Sequence, residues 1–230
     1  MATMRLLLIR HGQTPSNVAG ALDTARPGAG LTPLGHAQAA AIPAALAEEE
    51  VVAVHASVLT RTQLTAAPLA TARGLEVTVV EGLEEIAAGD LEMHTERASV
   101  EAYVGAIGRW AHGELDHAMP GGPDGHAFFQ RYDAAVAAIH AAHPDATVAV
   151  VSHGAAIRLW VAARAGNVGP EHAVEQRIMN TGMAVLEGSP TSGWTLLEWH
   201  EEPLGGVDLE DPAAHDVTGD TGDEAVAEAD

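Results

Sequence analysis

Apolar positions along this chain fall into two patterns. The run Leu6-Leu7-Leu8-Ile9 shows no polar alternation and stops within strand length, so it predicts a strand buried on both faces. "VVAVHAS" from Val51, "EVTVV" from Glu76 and "TVAVVSHG" from Thr147 read as strands in the same way. Between them lie helical stretches. "LTPLGHAQAAAIPAALAEEE" has Thr32 as N-cap and Pro33 at the first helical position, and Pro43 is expected to kink it. A second helix is predicted from about Val58 to Arg73, and a third in "AAIRLWVAARAG", stopped by Gly166. "MAVLEG" and "WTLLEWH" close the pattern as strands.

The opening order is β-α-β-α-β, which predicts an α/β fold, a three-layer α/β/α sandwich around a mostly parallel sheet. From Glu81 to about Asp145 the pattern changes to a loop and two helical runs, the first holding Tyr103, Ile107 and Trp110, the second Phe128 and Ile139. This segment, about residues 81–145, reads as a helical insertion within a single domain of residues 1–204. Its aromatic residues are expected to form the core of the insertion. Residues 205–230 hold nine carboxylates and no arginine, and read as a disordered, solvating tail.

Charge narrows the function classes. Thirty-two acids against 11 bases give a formal net charge of −21, which disfavours nucleic acid and anionic membranes as partners. Any anion site must be local. The chain has no cysteine, hence no disulfide, thiol nucleophile or thiolate metal site, and the cytoplasm is the expected compartment. No signal peptide or bilayer-spanning run is read in it.

"LLLIRHG" and "AVVSHG" share one form: an apolar strand that delivers a histidine and then a glycine. Parallel strands place such ends on one edge of the sheet, where ligands of open α/β sheets bind. His11 and His153 are therefore expected to face each other. Arginines Arg10 and Arg61 fall on the same edge, and guanidinium groups suit phosphate oxygens rather than a metal cation. An imidazole among anion donors is suited to attack phosphorus, and the leaving oxygen then needs a proton from a carboxylic acid. Glu85 or Glu84, after the third strand, can supply it. His94, His112, His117 and His126 in the insertion match no metal-ligand spacing.

These residues carry a family resemblance. "LIRHGQTPSN", "LTPLGHAQA", "ASVLTRTQLTAA", "LEEIAAGDLE" and "VVSHGAAIR" resemble, in order, the motifs of the histidine phosphatase superfamily in its phosphoglycerate mutase-like branch. The resemblance runs from Arg5 to about Leu186. It implies His11 as nucleophile, Glu85 as proton donor, and Arg10, Arg61 and His153 as phosphate-pocket residues, with Asn17 and Gly154 also binding substrate. It implies a phosphoglycerate mutase-like fold. The family's proline-glycine-glycine-glutamate-serine turn is replaced here by Pro120-Gly121-Gly122-Pro123-Asp124, where Asp124 is expected to cap the next helix.

The expected activity is metal-independent hydrolysis of small phosphomonoesters through a phosphohistidine on His11, with no cofactor and a small phosphorylated metabolite as partner. One alternative is a phosphoglycerate mutase, for which the insertion offers Arg97, Arg109 and Arg131 as further cations. Another is a phospholigand-binding module without catalysis. Substrate identity and oligomeric state stay open at this level.

Overall fold

The computed structural model describes residues 3–229. Six strands form one sheet: β1 (Met4–Arg10), β2 (Val51–Ala56), β3 (Val77–Val79), β4 (Thr147–Ser152), β5 (Met183–Ser189) and β6 (Gly193–His200). Their order is β3-β2-β4-β1-β5-β6. The first four are mutually parallel, and β5 and β6 add an antiparallel edge.

β1 explains the layering. Leu6, Leu7, Leu8 and Ile9 are all fully buried. Leu6 and Leu8 enter one apolar cluster and Leu7 and Ile9 the other, because successive side chains leave a strand on opposite faces. Helices α2 (Pro33–Ala45) and α3 (Thr60–Arg73) cover the Leu7 face. Helices α4 (Arg97–Ala111), α5 (Gly125–Ala142) and α6 (Gly154–Arg164) cover the Leu6 face. Short helix α1 (Pro15–Val18) follows the turn after β1, and α7 (His172–Glu175) and α8 (Gly222–Glu228) pack on each other and on α4.

The insertion is helical and its aromatic residues are internal. Tyr103, Trp110, Phe128 and Phe129 all lie in the larger cluster with Trp160 of α6, so the insertion shares the main core rather than having one of its own. Thr32 caps α2 by accepting from Gly35 N, and Asp124 caps α5 by accepting from Ala127 N. α2 stops at Ala45, two residues past Pro43, earlier than the apolar stretch suggests.

The tail departs from expectation. It is folded back on the domain: Val217 is part of the larger core, Asp216, Thr218 and Asp220 are buried, and Thr221 and Glu224 form a capping box at the start of α8. Its countercharges come from elsewhere in the chain. Arg10 pairs with Asp216 and Arg177 with Asp220, partners that local composition does not reveal.

Candidate active site

The site lies at the carboxyl ends of β1 and β4. The two strands run parallel with Arg10 opposite Ser152, so the next residues, His11 and His153, emerge side by side. Their rings meet edge-on, with centroids 5.2 Å apart. The turn after β1 is tight because two glycines touch. A Cβ on Gly12 would lie 2.6 Å from Gly35 O, and one on Gly35 would lie 2.2 Å from Gln13 O. The start of α2 can therefore press directly on the loop that carries His11.

His11 is nearly fully buried, and its Nδ1 lies 2.9 Å from Gly12 O. A carbonyl only accepts, so Nδ1 carries the proton and Nε2 keeps its lone pair. Burial, and then the charges of Arg61 and Arg10, hold its pKa well below the usual imidazole value. The ring is neutral at physiological pH.

His153 is the residue immediately before α6 and is fully buried, with Nε2 2.7 Å from Ser57 Oγ. Arg61, in the first turn of α3, donates from Nη2 to Asp23 O at 2.8 Å, and its Nη1 lies 3.7 Å from Asp23 Oδ1. Arg10 donates from Nη1 to Ile178 O at 2.8 Å and from Nη2 to Asp216 Oδ1 at 2.6 Å. After these contacts, Arg10 Nε, Arg61 Nε, Arg61 Nη1 and His153 Nδ1 remain buried without a hydrogen-bond partner. Each unpaired buried donor costs about 1–3 kcal/mol. A cluster of them beside a neutral imidazole makes chemical sense as a receptor for the oxygens of an anion.

Glu85 is buried in the same region. Its Oε1 accepts from Ile86 N at 2.9 Å and Ala156 N at 2.8 Å, and Oε2 accepts from Ala155 N at 3.2 Å, which sets the carboxyl at the amino end of α6. Burial raises its pKa, opposed by these N–H groups and by Arg61. Arg131 fixes the loop by donating to the carbonyls of Gly82, Glu84 and Glu85. The competing acids are spent elsewhere: Glu84 binds Gly82 N and Arg26, and Glu92 accepts from Thr24 N and Ala25 N. Glu81 is exposed beside Arg26.

The structure thus brings Arg10, His11, Arg61, Glu85 and His153 together, with Gly154 opening α6 beside them. Asn17 differs. Its Oδ1 accepts from Thr14 N and Thr14 Oγ1 and its Nδ2 donates to Asp216, so its amide serves the protein's own network and not an open pocket. The residues missed from sequence are Ser57, Asp23 and Asp216. Ser57 stands in the motif that delivers Arg61 and was open to notice; the other two have no local signal.

A doubly wound sheet edge with a neutral histidine and unpartnered guanidinium donors defines a protein that handles phosphoryl groups. The chain belongs to the histidine phosphatase superfamily (branch 1), whose family model matches residues 6–202. It is 38% identical over 217 residues to a PE-PGRS family protein of Mycobacterium tuberculosis, covering 87% of this chain but only 37% of that protein's length. It is 32% identical over 160 residues to the adenosylcobalamin/α-ribazole phosphatase of Escherichia coli, covering 69% of this chain and 78% of the relative. Among solved structures, a mycobacterial glucosyl-3-phosphoglycerate phosphatase superposes with a TM-score of 0.72 at 26% identity, over 87% of this chain and all of that one.

Proposed function

We propose that the chain is a phosphomonoesterase that hydrolyses small phosphorylated metabolites through a phosphohistidine on His11. The observation that carries this reading is the unprotonated Nε2 of His11 beside Arg10 and Arg61 N–H groups and a His153 Nδ1 that lack hydrogen-bond partners. Nε2 attacks phosphorus in line as the bond to the leaving oxygen breaks, and Glu85 gives that oxygen its proton. Water then attacks the phosphohistidine, the P–N bond breaks, and Glu85 takes the proton from the water. Arg10 and Arg61 offset the charge that would repel a nucleophile from the phosphoryl group.

The relatives are named as phosphatases for glucosyl-3-phosphoglycerate and α-ribazole phosphate, which supports hydrolysis over phosphoryl return to a bound acid. The cations that a mutase would use for a substrate carboxylate are engaged: Arg131 with three carbonyls, Arg109 with Glu114, and Arg97 with the carbonyls of Ala227 and Ala229. Among the described residues no helix is long and apolar enough to cross a membrane. The lack of cysteine suits a reducing compartment, and the cytoplasm is the proposed location.

The test is phosphate release from sugar phosphates, nucleoside monophosphates, phosphoserine and 3-phosphoglycerate, by wild type and His11→Ala, in excess EDTA. Release by wild type that falls about a thousandfold or more in the variant supports the reading. Equal release by both overturns the phosphohistidine. Isomerisation of 3-phosphoglycerate without release means a mutase, and ligand binding with neither activity means a binding module.

A further inference from the structure

We propose that Asp216, supplied by the C-terminal segment, is a positioning residue that fixes the Arg10 guanidinium for the phosphoryl group. The proposal rests on the functional reading above. Arg10 is fully buried, and the buried guanidiniums of Arg61 and Arg158 both feel its charge. Such a group is held only where its charge and donors are met. Asp216 Oδ1 meets Nη2 at 2.6 Å, Thr218 Oγ1 accepts from the same nitrogen at 3.1 Å, and the Asn17 amide donates to the same Asp216 oxygen at 2.9 Å. One carboxylate oxygen thus ties Arg10 to Asn17 and leaves Nε without a partner.

The geometry around Asp216 is that of a wall and not of a swinging lid. Gly219 N and Asp220 N both donate to Asp216 O, and Asp216 N donates to Asp220 Oδ2, which closes a tight turn on itself. Ile178 N donates to Gly219 O, and the buried Arg158 donates to the carbonyls of Thr218 and Asp220. Val217 between them is in the main core. A Cβ on Gly219 would fall 1.8 Å from Arg10 Nη1, and one on Gly154 would fall 2.1 Å from Thr218 O. The segment therefore lies in direct contact with the arginine and with the first turn of α6. A carboxylate so rigidly set holds its guanidinium in one orientation, and orientation is what in-line transfer requires.

The experiment is a double-mutant cycle in the full chain with p-nitrophenyl phosphate as probe, alongside melting temperatures and the inhibition constant of orthophosphate. Asp216→Ala should lower kcat/KM about thirtyfold and weaken orthophosphate inhibition, with Asp216→Asn recovering part of the loss through its carbonyl oxygen. In an Arg10→Ala background, Asp216→Ala should change kcat/KM less than about twofold. If Asp216→Ala fails to fold, Thr218→Val removes the neighbouring acceptor, and should cost several-fold in the wild-type background and nothing in the Arg10→Ala background. Additive losses would mean a merely structural role and overturn the proposal. A rise in activity would also overturn it, since Asp216 would then compete with the phosphoryl group. If His11→Ala were fully active, the phosphohistidine reading would fail, whereas a dead His11→Ala with a fully active Asp216→Ala would reject the positioning role alone.

Discussion

The His153 imidazole is anchored on Ser57: Nε2 lies 2.7 Å from Oγ, while Nδ1 is buried without a partner. Ser57 Oγ also lies 3.0 Å from Thr62 Oγ1, so it links the imidazole to the first turn of α3. Ser57 thereby holds the His153 ring in place beside His11. Ser57→Ala should lower kcat/KM about tenfold with a change of no more than a few degrees in melting temperature. Steady-state kinetics beside a thermal melt check this, and unchanged kinetics would remove Ser57 from the site.

Glu85→Gln should lower kcat by about a hundredfold or more on alkyl phosphates, and by far less on p-nitrophenyl phosphate, whose leaving group departs without a proton. Gln keeps one carbonyl oxygen, which can still accept from Ile86 N and Ala156 N, loses the acceptor for Ala155 N, and cannot deliver or take the proton. A loss independent of leaving group would assign the acid role elsewhere.

The pH profile follows from two opposite shifts. His11 has a pKa well below 6.5, so its neutral form persists as pH falls through 6.5, and the acid limb of kcat/KM should lie well below that value. Burial raises the Glu85 pKa above 4.5, and in the proposed reaction it must be protonated to act as the acid, so activity should decline as pH rises through that raised pKa. The profile of the free enzyme, corrected for substrate ionisation, reads both limbs. An acid limb at the ordinary imidazole value would contradict the buried, neutral His11.

Stability carries its own pH signature. Burial and then the charge of Asp216 push the Asp220 pKa from 3.8 up to about 6. The folded chain holds this proton more tightly than the unfolded chain, so its contribution is most favourable below pH 3.8, declines as pH rises to about 6, and stays reduced above, by on the order of 3 kcal/mol. His55 and His172, lowered to about 4, act in the opposite sense and cost stability as pH falls below 6.5. The difference between wild type and Asp220→Asn isolates the first effect. Urea midpoints of the variant should gain on wild type as pH rises from about 4 to 6; a constant difference would refute the assignment.

Local pattern determined much of this protein. The apolar runs before Arg10-His11-Gly12 and His153-Gly154 mark strands buried on both faces, and two parallel strands of one sheet must deliver their next residues to one edge. Thr32 and Asp124 are caps because a side-chain oxygen beside free N–H groups acts within three residues. Such signals are short in range and survive in sequence.

Tertiary structure alone decided the environment of those residues. Asp216 meets Arg10 from more than 200 positions away, and Asp23 meets Arg61 across 38. The acidic tail reads as solvated when taken by itself, yet it folds because Arg10, Arg158 and Arg177 offer donors that its own composition lacks. Asn17 sits in a motif that points to a ligand, and its amide is claimed by Thr14 and Asp216 instead. Charge pairing and desolvation depend on distance in space, and sequence records only distance along the chain.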